Sequence, residues 1–239
     1  MAEDGTVSRE QTSFSALVGL MARLRSPDGC PWDREQDHRS LRRCLLEETY
    51  EVLEAIDRGD WRGLREELGD LLLQVVFHAQ LAAEADRFGI EDVIDGLREK
   101  LVSRHPHVFG DASAETPAQV LEQWHHLKRE ERGEAGADSF EDVPSSLPAL
   151  SRAHVLQRRA ARQGLARSGE DARAAAEEVL ARLGREEGED REVEEAVAEL
   201  LFAAVDLARS LGVDAEQALR EHLNRLVAEA RQSGPASSS

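Results

Sequence analysis

Apolar positions recur at helical spacing along most of the chain. Phe14, Leu17, Val18, Met21 and Leu24 share one helix face and predict a first helix from about Ser13. It stops before the turn signal Ser26-Pro27-Asp28-Gly29, and Gly29-Cys30-Pro31-Trp32-Asp33 reads as an irregular loop. Four more helices follow, over about Ser40–Asp57, Trp61–Ala85, Ile90–Arg104 and Pro117–Arg132. Gly59-Asp60, Gly89 and Pro106 punctuate them. From Leu71 onward the third helix is apolar almost all round, which predicts a buried helix. Residues 133–149, rich in Gly, Ala, Asp, Glu, Ser and Pro, read as a linker. The pattern from 150 to 232 is helical again, and residues 1–12 and 233–239 read as flexible tails.

An internal repeat runs through this pattern. Leu68-Gly69-Asp70-Leu71-Leu72-Leu73 can be laid over Val197-Ala198-Glu199-Leu200-Leu201-Phe202. Upstream, Glu47-Glu48 then lies over Glu177-Glu178; downstream, Phe88-Gly89-Ile90 lies over Leu211-Gly212-Val213. The expectation is two tandem copies of one helical unit.

Composition agrees with an all-α fold. Aromatic residues are only 4% of the 239, fewer than a sandwich or barrel would use. The net charge of −18 argues against a partner that is a nucleic-acid polymer, because that affinity comes from basic groups on phosphates. It leaves room for single nucleotides bound through a cation. Two cysteines, Cys30 and Cys44, make no disulfide framework and read as reduced thiols. No apolar run is long enough to span a membrane, and residues 1–11 are polar and acidic, unlike a signal peptide. A cytoplasmic location is expected, with no membrane partner.

The chemistry concentrates in acidic pairs. Glu47-Glu48-x-x-Glu51 lies on the second helix and Glu66-Glu67-x-x-Asp70 on the third. Residues three apart neighbour each other on a helix surface. A short break joins the two helices, so Glu48, Glu51, Glu67 and Asp70 can converge on one point. A lone acidic pair usually coats a solvated face. Four carboxylates entering an apolar helix pair need a counter-charge, and no lysine sits in either motif. All-oxygen donors favour a hard cation, Mg²⁺ or Mn²⁺, over Zn²⁺.

A cation so held typically meets polyphosphate, which also needs fixed positive donors. Lys100 and Arg104 stand one turn apart on the fourth helix, and Lys128 and Arg129 lie on the fifth. Trp32 and Trp124 can stack a base. His105-Pro106-His107 reads as a packed helix end. Neither a GxSxG elbow nor a phosphate-binding glycine loop occurs, which points to direct attack by water.

Gly29-Cys30-Pro31-Trp32-Asp33, Glu47-Glu48-x-x-Glu51, Glu67-x-Gly69-Asp70 and Arg104-His105-Pro106-His107-Val108-Phe109 occur in order. Together with Asp142-Val143-Pro144 and Pro148-Ala149-Leu150, they resemble the MazG family of nucleoside triphosphate pyrophosphohydrolases. The resemblance is strong over the N-terminal half and weak beyond it. It implies an all-α helical bundle, usually dimeric, that needs Mg²⁺ and cleaves NTPs and dNTPs between the α and β phosphates. The products are NMP and pyrophosphate, which fits housekeeping of the nucleotide pool. On this likeness Glu48, Glu51, Glu67 and Asp70 are metal ligands, and Glu47 is an auxiliary catalytic carboxylate. Lys100 and Arg104 match the basic helix that meets the phosphates. Trp124 and Lys128 match a late Trp-x-x-x-Lys element near the nucleotide, and Trp32 is placed near the base.

The second copy departs from this pattern. Ala181 stands where the third glutamate should be, Ala196 replaces Glu67, and Glu199 replaces the aspartate. Glu221 stands where a lysine is usual. The expected organisation is therefore a catalytic unit over 13–132 and a degenerate unit over 150–232. Rival readings are a narrower pyrophosphohydrolase, for phosphoribosyl-ATP or dUTP, and a non-catalytic nucleotide-binding or regulatory helical dimer.

Overall fold

The computed structural model describes residues 13–132, 139–165, 167–183 and 190–232. The expected tails, 1–12 and 233–239, and residues 133–138 of the expected linker lie outside the described residues. The described chain is helical, with no strand among those residues. It divides into two compact units, Met1–Val120 and Leu121–Ser239. That division falls inside the helix Pro117–Arg132, whereas the sequence placed a boundary after residue 132.

The first unit is built on α1 (Phe14–Arg25), α2 (Pro31–Glu35), α3 (Arg42–Arg58), α4 (Trp61–Glu84), α5 (Ile90–Ser103) and α6 (Pro106–Phe109). The stretch expected to be an irregular loop contains α2, one turn with Pro31 in the first position, where a missing N–H costs nothing. The turn before it requires glycine: a Cβ on Gly29 would lie 2.1 Å from the Leu24 carbonyl oxygen. That carbonyl accepts from the Cys30 N–H at 2.7 Å.

Two residues set the α3–α4 hairpin. Gly59 ends α3 in the left-handed region, at φ 64°, which glycine enters without a Cβ clash. Asp60 then caps α4, its Oδ1 accepting from the N–H groups of Arg62 at 3.1 Å and Gly63 at 3.0 Å. The hairpin is the main helix pair of the unit, and α1 and α5 also pack on α4. Met21, Leu41, Val76, Phe77 and Leu81 form the buried core, with Phe14, Leu17, Val18 and Leu24 of α1 packed against it. Burying such a side chain contributes roughly 1.5–3 kcal/mol.

The expectation that α4 is buried from Leu71 onward is corrected at Leu72 and Val75. Leu68, Leu72 and Val75 remain 49%, 39% and 40% exposed. They recur at i, i+4 and i+7, so one apolar stripe of the helix is uncovered within its own unit.

The second unit holds most of α7 (Pro117–Arg132), a 3₁₀ turn at Phe140–Asp142, α8 (Ala149–Arg162), α9 (Gly169–Leu183), α10 (Asp190–Ser210) and α11 (Ala215–Gln232). Here α9 and α10 form the main pair and α8 packs on α10. The same roles fall to α3, α4 and α1 in the first unit. Ala172, Ala196 and Val205 are its most deeply buried residues, followed by Val143 and Ala203, so this interior closes on small side chains.

Candidate metal centre

The three-residue spacing read from the sequence places Glu48 and Glu51 on one face of α3, and Glu67 and Asp70 on one face of α4. The hairpin turns those faces toward each other. One carboxylate oxygen each from Glu48, Glu67 and Asp70 lie within 4.8 Å of one another. Glu48 and Glu67 are half-buried and Asp70 is exposed, so the cluster opens at the surface rather than lying deep in the bundle. Glu51 completes the convergence, since it interacts with both Glu48 and Glu67.

The electrostatics of this cluster are unfavourable by themselves. Burial, then the charges of Asp70 and Glu51, push the Glu48 carboxyl up from its ordinary value. Burial, then Glu51 and Asp70, do the same to Glu67. Crowded like charges with several free oxygen donors are what a hard divalent cation neutralises, and the donor set fits one.

The remaining expected residues fall in different places. Glu47 does not join the three oxygens; its Oε1 accepts from Arg43 Nε at 2.7 Å on the outside of α3. Lys100 lies on the exposed surface of α5, while Arg104, one turn on, is buried at 7% exposure. Trp32 is 57% exposed on α2. Trp124 and Lys128 are half-buried on α7, beyond Val120 and so in the second unit.

Helical spacing puts Gln74 and His78 on the same side of α4 as Glu67 and Asp70, and the sequence reading assigned them no role. Gln74, one turn past Asp70, is buried with an Oε1 that has no partner. His78, one turn further, lies with its Nδ1 2.8 Å from that of His38 in the turn before α3. Burial, then His38, lowers the His78 imidazole from its ordinary value. Their recurrence at i+4 from Asp70 was the available signal.

The second unit shows what became of the equivalent positions. Ala196 is fully buried where the first unit carries Glu67. Glu199, in the place of Asp70, accepts from Arg182 of α9 at 2.5 Å. A guanidinium supplies the counter-charge there.

An all-α unit whose helix hairpin gathers three carboxylates at one surface point offers a candidate cation centre. The MazG nucleotide pyrophosphohydrolase domain matches residues 36–109, a span that contains α3 to α6. Over 215 residues the chain is 46% identical to the nucleoside triphosphate pyrophosphohydrolase/pyrophosphatase MazG of Thermotoga maritima, covering 90% of this chain and 82% of that one. It is 45% identical over 212 residues to the nucleoside triphosphate pyrophosphohydrolase of Escherichia coli K12, covering 86% and 81%. A shorter match, 46% over 151 residues, links it to the nucleoside triphosphate pyrophosphohydrolase of Mycolicibacterium smegmatis, covering 62% and 46%. The chain belongs to the MazG family of nucleoside triphosphate pyrophosphohydrolases. Among the described residues, no helix is long and apolar enough to cross a membrane.

Proposed function

We propose that the protein hydrolyses nucleoside and deoxynucleoside triphosphates to the monophosphate and pyrophosphate, with Mg²⁺, at the α3–α4 carboxylate cluster of its N-terminal unit. The convergence of Glu48, Glu67 and Asp70 within 4.8 Å carries this reading. Glu48, Glu51, Glu67 and Asp70 are the proposed ligands, and Glu47 is an auxiliary carboxylate. A divalent cation bound there supplies charge neutralisation for the polyphosphate oxygens.

The chain's own groups do the rest. A carboxylate oxygen left over from holding the cation orients a water and accepts its proton as it attacks the α-phosphorus. The bond between that phosphorus and the bridging oxygen to the β-phosphate breaks, and pyrophosphate leaves. Lys100 and Arg104 stabilise the leaving charge, and Trp32 lies near the base. Positioning and electrostatics dominate such a transfer, since little covalent work falls to the protein.

The working form is a homodimer. The uncovered stripe of Leu68, Leu72 and Val75 on α4 supports it, since apolar patches of this kind mark interfaces. The setting is the cytoplasm and the role is housekeeping of the nucleotide pool. Incubating the protein with a panel of normal and oxidised NTPs and dNTPs, with and without Mg²⁺, tests the reading by product separation. Cation-dependent monophosphate plus pyrophosphate is the expected result; no turnover, or release of orthophosphate, would overturn it.

A further inference from the structure

The second unit contains a cleft of about 250 Å³ between α8 and α10, flanked by the 3₁₀ turn. Phe140, Phe202, Leu156 and Leu165 give it apolar walls. None of its residues belongs to the carboxylate cluster or to the positions in the repeat that correspond to it. Two buried polar side chains also line it, Gln157 at 5% exposure and Asp206 at 6%.

The hydrogen bonds of these two groups are one-sided. Gln157 Nε2 donates to the Phe202 carbonyl oxygen at 2.8 Å, which fixes the amide and makes its other end the acceptor. That end, Oε1, is buried and has no partner. Arg209 reaches Asp206 through Oδ1 alone, from Nε at 2.9 Å and Nη2 at 2.7 Å. Its Oδ2 is left over. A buried acceptor without a donor costs about 1–3 kcal/mol, so the site is incomplete as it stands.

The missing occupant must bring donors. Arg209 already balances the carboxylate, so the occupant need not be a cation. The two phenylalanines favour a flat π-system. The volume lies below the roughly 300–1,000 Å³ of pockets for drug-sized ligands, which suits one fused ring with its substituents outside. Bases are read elsewhere in this way, by stacking on apolar walls and hydrogen bonds to one edge.

We propose that this cleft binds a purine base that presents a ring N–H and an exocyclic amino group, of the guanine type, to Gln157 and Asp206. The sugar faces the mouth, and no phosphate is required. The C-terminal unit, with alanines at two of the cluster positions, thereby keeps a nucleoside-sensing role.

Isothermal titration of guanosine tests this, using the full chain carrying Asp70→Asn in buffer without divalent cations, so that the carboxylate cluster holds no nucleotide. Saturable binding is expected, with inosine, which lacks the amino group, weaker by roughly tenfold. Gln157→Leu should abolish binding. Leu165→Trp, at a rim position that is 67% exposed, should also abolish it by filling the cleft, and it leaves the buried polar pair intact. Circular dichroism confirms that each variant is folded; should Gln157→Leu fail to fold, Leu165→Trp decides. No saturable guanosine binding, or unchanged affinity in a folded Leu165→Trp variant, would overturn the proposal. Neither result bears on triphosphate hydrolysis in the first unit.

Discussion

Arg25 grips both oxygens of Glu84. Its Nε lies 2.9 and 3.0 Å from Oε1 and Oε2, and its Nη2 lies 2.7 Å from Oε2. The same guanidinium stands 5.4 Å over the ring of Phe77, and its Nη1 donates to the carbonyl oxygens of Asp33 and Gln36. One side chain thus ties the ends of α1 and α4 to the C-terminal end of α2. The hairpin that carries the carboxylates is fastened by a contact remote from them.

Glu84→Gln keeps the shape and removes the charge. It should cost about 1–2 kcal/mol, at the low end for a charged hydrogen bond because Glu84 is partly exposed. The hydrogen bond from Arg25 holds the Glu84 carboxyl below its ordinary value of 4.5. The folded state therefore binds fewer protons than the unfolded state as that range is crossed. The contribution is fully present above 4.5 and fades as pH falls through the lower folded value. Thermal melts of both proteins, from neutral pH down to about pH 3, should show a gap that closes on acidification. A constant gap would remove the ion pair as its source.

The carboxylate cluster makes a different prediction for stability and for turnover. Glu48→Gln removes the charge of one of three convergent carboxylates and should lower turnover at least ~100-fold. Without divalent cation the variant should melt no lower than the parent, because a source of repulsion is gone. Added Mg²⁺ should raise the melting temperature of the parent and leave the variant nearly unmoved. Calorimetry with and without the ion reads both. A parent that ignores Mg²⁺ would reject the cluster as a cation site.

Much of this was legible in the sequence, for local reasons. The end of α3 and start of α4 are written in Gly59 and Asp60, whose backbone conformation and cap are short-range chemistry. The convergence of Glu48, Glu67 and Asp70 follows from three-residue spacing plus a two-residue connection. What escaped depends on tertiary contact. Periodicity marks Leu68, Leu72 and Val75 as apolar, but nothing local says whether the same chain covers them. The burial of Arg104 and the meeting of His38 with His78, forty residues apart, have no local signal either.

In the second unit the eroded positions have been repacked, which makes the loss hard to reverse. Glu199 faces Arg182 across α9 and α10, and both are about half exposed. Glu199→Gln should cost less than about 1 kcal/mol and leave turnover unchanged. Ala196 is fully buried, so Ala196→Glu takes a charge out of water and should destabilise by roughly 2–4 kcal/mol. Urea unfolding separates the two. A stable Ala196→Glu chain would mean that the interior beside α10 is looser than its burial implies.

The exposed stripe of α4 ties assembly to the site, because Glu67 and Asp70 flank Leu68 on the same helix. A second copy laid on Leu68, Leu72 and Val75 would cover large apolar side chains that this unit leaves in water. Val75→Glu puts a charge in the middle of that contact. Its side chain points away from the Met21–Phe77 core, so unfolding of the isolated unit should change little. Light scattering should report two chains per particle for the parent and one for the variant. Turnover should fall with the dimer, since the α3–α4 hairpin loses the partner that holds it in place. A parent that scatters as a single chain, at concentrations where it is fully active, would show that one copy suffices and that the stripe serves another purpose.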